Sequence, residues 1–80
     1  MQLIIITPEE KKMYDISWLE CNSPAGNFVI LPDHAPTVLT LTPEEPITFC
    51  LTTGKIESVT PQQGIINITR TSITALLKSV

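Results

Sequence analysis

Eighty residues carry five Lys or Arg against eight Asp or Glu, a formal charge of -3, so the chain is one small domain with a marginal core and has no basic field for nucleic acid. No apolar run approaches the roughly 20 residues of a membrane-spanning helix, and Leu3 to Ile6 is too short and too poorly flanked for a signal peptide. The sequence therefore reads as a soluble, intracellular domain. Ile, Val and Thr make up 26 of the 80 residues, a β-branched load that disfavours helix and suits a pleated sheet.

In chain order, Leu3-Ile4-Ile5-Ile6 predicts a first strand stopped by Thr7-Pro8, and Glu9-Glu10-Lys11-Lys12 predicts a charged, solvated turn. Tyr14, Ile16 and Trp18 alternate with Asp15 and Ser17, but Leu19 and Cys21 follow on the opposite phase. Either a β-bulge shifts the register near Trp18 or the aromatic face is the exposed one. Asn22 to Gly26 has turn composition. Phe28-Val29-Ile30-Leu31 is a continuous apolar run, expected to be buried on both faces or to enter a sandwich core. Pro32 and Pro36 then bracket Asp33-His34-Ala35, so a carboxylate and the single histidine are displayed on a stiffened loop.

Beyond that loop, Thr37 to Thr42 alternates with Leu39 and Leu41 on one side, and Pro43-Glu44-Glu45-Pro46 closes the strand. Ile47, Phe49 and Leu51 share a face, and Thr53-Gly54 supplies a hairpin turn into Lys55 to Thr60. Pro61-Gln62-Gln63-Gly64 is another break before Ile65 to Thr69, and Arg70-Thr71 turns the chain into Ser72 to Leu77. Close, regular strands punctuated by seven prolines predict an all-β sandwich or barrel of eight or so short strands, in one domain over 1–80; as a sandwich it would have two antiparallel sheets with about eight to ten short strands.

Reactive chemistry is sparse. Cys21 and Cys50 read as isolated buried thiols, without the close ligand pairs of a metal site. Asp33-His34 lacks a nucleophile and an orienting third group, so His34 reads as an exposed or loop-capping residue. The sequon Asn67-Ile68-Thr69 falls in a predicted strand of a chain without a secretion signal and is set aside. No catalytic residue, metal or cofactor is expected.

The segment Gly26-x-Phe28-x-Ile30-Leu31-Pro32-x-His34-Ala35-Pro36 resembles the G-x-F/L-G-I-L/Y-P-G-H-A-P signature of the epsilon subunit of F-type ATP synthases, called delta in mitochondria. Thr7-Pro8-Glu9 resembles that family's "v-T-P-e", and Gln62-Gln63-Gly64-Ile65-Ile66-Asn67-Ile68 lies where the family has "S-G-G-x-x-E-V". The resemblance covers essentially the whole chain and implies a non-catalytic rotor component, a β-sandwich at the foot of the central stalk.

On this resemblance the partners are the gamma subunit and the c-ring, with membrane association only through the complex, on the cytoplasmic side in a bacterium and on the matrix or stromal side in an organelle. Asn27, Asp33, His34, Ala35 and Pro36 match positions that face the c-ring. Gln62, Gln63 and Gly64, with Val38 and Thr40, are candidates for the gamma side, as are whichever of Tyr14, Ile16 and Trp18 prove exposed. The family usually has glycine where this chain has Asp33, and S-G-G is replaced by Gln62-Gln63-Gly64. The sequence ends at Val80, where the family's sandwich ends, so the resemblance implies an epsilon without its inhibitory carboxy-terminal helical hairpin. The competing reading is a stand-alone β-sandwich that binds a protein or a small ligand, which an enclosed polar pocket would favour.

Overall fold

Residues 1–79 are described by a computed structural model. The alternation of β-branched residues produces eight strands, β1 (Gln2–Ile6), β2 (Lys11–Ser23), β3 (Gly26–Ile30), β4 (Thr37–Thr40), β5 (Ile47–Leu51), β6 (Ile56–Val59), β7 (Gly64–Ile68) and β8 (Ser72–Leu77), and no helix among the described residues. One sheet runs β4-β7-β8-β1-β2 and the other β3-β2-β5-β6. Both contain β2, so that strand joins the two layers of the sandwich.

A bulge makes this sharing possible. Ile16 faces Leu51 and Trp18 faces Cys50, so one extra residue, Ser17, sits on β2 between two consecutive partners on β5. The insertion bends the strand and reverses its phase. Residues 11–15 pair with β1, and 16–23 pair with β5 and β3. Beyond the bulge Leu19 and Cys21 point inward and are fully buried, while Trp18 is half-buried. Of the two sequence readings of this stretch, the bulge is the one the chain adopts.

Two expectations are corrected and a third is decided. The charged turn is shorter than expected: the Thr7 hydroxyl caps the Glu10 amide at 3.2 Å and the Thr7 amide donates to the Glu10 carbonyl, and Lys11 and Lys12 already belong to β2. The run Phe28 to Leu31 takes the second of its two expected placements: it enters the sandwich core but is not buried on both faces. Ile30 is sealed in the core, but Val29 and Leu31 are each more than half exposed, because β3 is an edge strand with one face outward. Finally, the sheets are not purely antiparallel, since β1 and β8 pair in parallel, Leu3 beside Ile73 and Ile5 beside Ala75.

The core draws on both layers. Leu3, Ile5, Ile66, Ile73 and Ala75 come from one sheet, and Ile16, Leu19, Ile30, Ile47 and Phe49 from the other or from the bend. Phe49 is its largest fully buried side chain, and the Tyr14 ring lies against it at 5.0 Å between centroids with a 50° tilt, within the separation at which aromatic pairs attract. Cys21 belongs to the same core, and burial, with a smaller effect from Glu20, pushes its thiol up to about 11. It stays protonated at neutral pH and packs as a small apolar group.

Candidate interaction surfaces

The sandwich offers a stiff loop at one end and an apolar outer face on one sheet. In the loop, the His34 amide donates to the Leu31 carbonyl at 3.2 Å, closing a four-residue turn with Pro32 second and Asp33 third. Asp33 has φ +66°, the positive value that a type II turn demands at its third position and that glycine meets without strain. The Asp33 amide also donates to the Arg70 carbonyl at 3.1 Å, tying the loop to the β7–β8 turn. The turn thus keeps the backbone path that a Pro-Gly sequence would take, with a carboxylate added. Asp33→Gly is expected to raise stability by up to about 1 kcal/mol, since relief of the left-handed strain outweighs the added freedom of the unfolded chain. A lower urea midpoint would show that the aspartate is stabilising where it stands.

His34 is half-buried on this loop, its Nδ1 2.7 Å from the Ala35 carbonyl oxygen, a contact that lets an Nδ1–H donate. Ala35 and Pro36 are exposed. Asn27 does not join them. It is the second residue of β3, at the far end from Pro32, and donates through Nδ2 to Asn22 Oδ1 at 3.0 Å. The free edge of β3 runs between Asn27 and the loop, so these residues outline one rim and not one cluster.

The second surface follows from cross-strand register. Thr40 faces Ile65, Ile65 faces Leu76, Leu76 lies beside Ile6, and Ile6 faces Lys11. A parallel row runs Val38, Asn67, Thr74, Ile4, Met13. Side chains in one row stand on one face of a sheet, and here that face looks away from the core. Val38 is 64% exposed, Met13 55%, Leu76 49% and Ile65 46%; Ile65, Leu76 and Ile6 are consecutive in the first row, while Asn67 and Thr74 part Val38 from Ile4 and Met13 in the second, and exposed apolar area of this kind marks an interaction site. Val38 and Thr40 lie on it. Tyr14, Ile16 and Trp18 do not: Ile16 is sealed in the core and the two aromatic rings are half-buried. The sequence reading passed over Ile4, Ile6, Ile65 and Leu76, although apolar runs such as Leu3 to Ile6 signal a strand with both faces covered.

At the top of this face an open cleft of about 440 Å³ is lined by Thr40, Leu41, Gln63, Gly64, Ile65 and Leu76, with Pro24, Pro43 and Lys78 at its margin. Gly64 is there for internal packing. A Cβ on it would meet Leu77 Cδ2 at 2.6 Å and both Leu41 Cδ1 and the Leu76 carbonyl oxygen at 3.0 Å. Gly64→Ala is expected to cost about 1–3 kcal/mol by overpacking, read as a lower urea midpoint; an unchanged midpoint would mean the β7–β8 pair yields freely. Gln62 and Gln63 are exposed, Gln62 donating its amide to the Ser79 carbonyl at 3.1 Å. The five residues of β7 put this turn roughly 17 Å from the His34 loop. A second open cleft, about 260 Å³, lies between the sheets and is lined by Ile5, Thr7, Glu10, Lys12, Tyr14 and Val59 among others.

A family model for the β-sandwich domain of the ATP synthase delta/epsilon chain matches residues 1–80. Among curated proteins, no sequence is similar enough to count as a relative. Among solved structures, a chain from the central stalk and c-ring of the Tetrahymena thermophila mitochondrial ATP synthase superposes with a TM-score of 0.84 at 13% identity, over 99% of this chain and 63% of that one. A chain from the Euglena gracilis mitochondrial ATP synthase, in a structure of OSCP, F1 and c-ring, superposes with a TM-score of 0.85 at 17% identity, over 94% of this chain and 48% of that one. At these identities the likeness shows the fold, and the chain spans about half to two thirds of the length of these structural relatives.

Proposed function

We infer that this chain, which belongs to the family of ATP synthase delta/epsilon chain β-sandwich domains, works in the central stalk of an F-type ATP synthase, joining the gamma subunit to the membrane c-ring. The family match over the whole length carries this reading. Two features of the molecule support it: an apolar outer face suited to a protein partner, and a proline-braced loop one strand length away from the turn at 62–64. Two separated surfaces on one rigid body suit an element gripped from two sides.

Mechanism follows from stiffness. An element that passes torque from the c-ring to gamma must deform less than the parts it connects, and a closely packed core cross-linked by sheet hydrogen bonds meets that need. The subunit does no bond chemistry in this scheme, and the protonated, buried Cys21 thiol is no nucleophile. The two interfaces together are expected to bury about 1,600 Å² or more, the size of a stable protein contact. Association with the membrane is peripheral and through the complex. The clefts being open favours this reading over a stand-alone ligand-binding module, which needs an enclosed pocket.

In the loop, His34, Ala35, Pro36 and Asp33 face the polar loops of the c-ring, with Asn27 at the far end of the same rim. His34→Ala is expected to weaken attachment to the c-ring by roughly tenfold with little change in melting temperature, because the ring packs against its own loop and not into the core. Retention on purified c-rings measures this, and an unchanged affinity argues against the loop's role. The direct test of the function is co-purification from the chain's own cell: recovery of gamma and c-ring supports the reading, and recovery of neither overturns it.

A further inference from the structure

Every sheet edge in this sandwich has a distinct character. The edge of β6 is flanked by the Lys55–Glu57 ion pair at 3.5 Å, and the first part of β2 carries Lys11, Lys12 and Asp15. Charges of this kind guard an edge against unwanted pairing. β3 begins at Gly26 with φ +133° and runs along the rim already considered. β4 reads Thr37-Val38-Leu39-Thr40 and carries no charge.

The hydrogen-bond phase of β4 can be fixed. The Leu41 amide donates to the Gly64 carbonyl at 3.0 Å, and the register continues with Leu39 opposite Ile66 and Thr37 opposite Ile68. Because an antiparallel strand turns alternate residues to alternate sides, Leu39 and Thr37 bond inward to β7. Val38 and Thr40 turn both their N–H and C=O groups to the free side. β7 obeys the same alternation on its other flank, where the Lys78 amide donates to the Gln63 carbonyl at 2.9 Å.

These outward backbone groups sit beside the apolar outer face and the 440 Å³ cleft lined by Leu41, Ile65 and Leu76, and the free edge ends at Thr42, whose amide already donates to the Asn22 carbonyl at 2.9 Å. Lys78 lines the cleft and among the described residues is in no ion pair, whereas Lys11 closes the cross-strand row on β2, at the opposite edge of the sheet. A partner segment that fits would be extended, apolar at alternate positions and acidic at the end nearest Lys78.

We propose that the gamma subunit adds such a strand to the free edge of β4, pairing with the Val38 and Thr40 backbone, lodging one apolar side chain in the cleft and bringing a carboxylate to Lys78. This rests on the rotor reading above. Main-chain pairing supplies affinity and register, and the cleft supplies selectivity, as in other cases of strand addition. The contact would also resist sliding along the strand, since a one-residue slip reverses every side chain.

The test uses the full chain and purified gamma subunit, with affinity and amide hydrogen exchange measured together. Exchange at the Val38 and Thr40 amides is expected to slow on the order of 100-fold in the complex. Val38→Pro removes only an outward donor, which an edge strand tolerates, and is expected to weaken binding roughly tenfold, with Val38→Thr binding several-fold more tightly than the proline variant. If the unmodified chain does not bind gamma, the rotor reading falls and this inference with it. If it binds but the two amides exchange as in the free chain, strand addition alone is overturned, whether or not Val38→Pro folds. Slowing of the same amides in the chain alone as its concentration rises would identify a second copy as the occupant and overturn the proposal too.

Discussion

Replacing Phe49 with alanine is expected to remove most of the stability of this domain. The ring is fully buried between the sheets, with Leu19 and Glu57 as its cross-strand neighbours and the Tyr14 ring packed on it. Truncating a buried phenylalanine costs about 3–5 kcal/mol in lost transfer energy and cavity formation. A domain of this size holds only about 4–12 kcal/mol in total, so the variant should lose half or more of its urea midpoint or unfold outright. Tyr14 suffers as well, since its half-buried ring loses the aromatic neighbour it packs on. Phe49→Leu, which leaves a smaller cavity, should restore a cooperative transition at a cost below that of alanine. A loss under about 1 kcal/mol for Phe49→Ala, well below that range, would mean that the two sheets do not close on this ring.

How much of this was legible in the sequence depends on whether the signal was local. Strands β5 and β8 follow directly from alternation, because Ile47 and Phe49, or Ile73 and Ala75, point to one face whatever lies opposite. The phase change in β2 was visible as a conflict between Tyr14, Ile16 and Leu19, Cys21, but its resolution was not. A bulge is defined by its partner strand, and β5 lies some thirty residues away in the chain. The parallel pairing of β1 with β8 joins the two ends of the chain and leaves no local mark at all. In the 31–36 loop, the two prolines announced stiffness, whereas the positive φ of Asp33 was hidden because the residue there is not glycine. Glu44 shows the same concealment: it follows Pro43, has φ +62° and sits third in a turn closed by the Glu45 amide on the Thr42 carbonyl at 3.4 Å.

The outer apolar face was half legible for a different reason. Ile4 and Ile6 are as hydrophobic as Leu3 and Ile5, so composition alone cannot say which pair faces the core. What distinguishes this sheet is that both faces of β1 are apolar, which costs solubility unless something covers the second face. On the opposite sheet the outward row of Glu20, Thr48 and Ser58 beside Val29 is largely polar, though the row Trp18, Cys50, Ile56 is not. The candidate gamma surface is therefore a property of register across five strands, and Val38 and Thr40 were only its outermost members.

Leu76 lies near the middle of that face, flanked by Ile65 on β7 and Ile6 on β1, and Leu76→Arg is expected to cost about 100-fold or more in affinity for the gamma subunit. The size of the effect comes from where the charge lands. A guanidinium in the centre of a packed apolar contact must be desolvated without a partner, whereas the same charge at a rim is nearly free. Lys11 and Lys78 stand on the same face, so the added cation also raises local repulsion against them. The fold should survive, because Leu76 is half exposed and its backbone pairing with Ile65 is unchanged by the substitution; a melting temperature within a few degrees of the parent is expected. Thr74→Arg, one step along β8 on the same face and beside the polar Asn67, should weaken binding less. Equal affinity of Leu76→Arg and the parent chain for gamma would show that gamma does not cover this face, and would leave its apolar side chains in need of another partner.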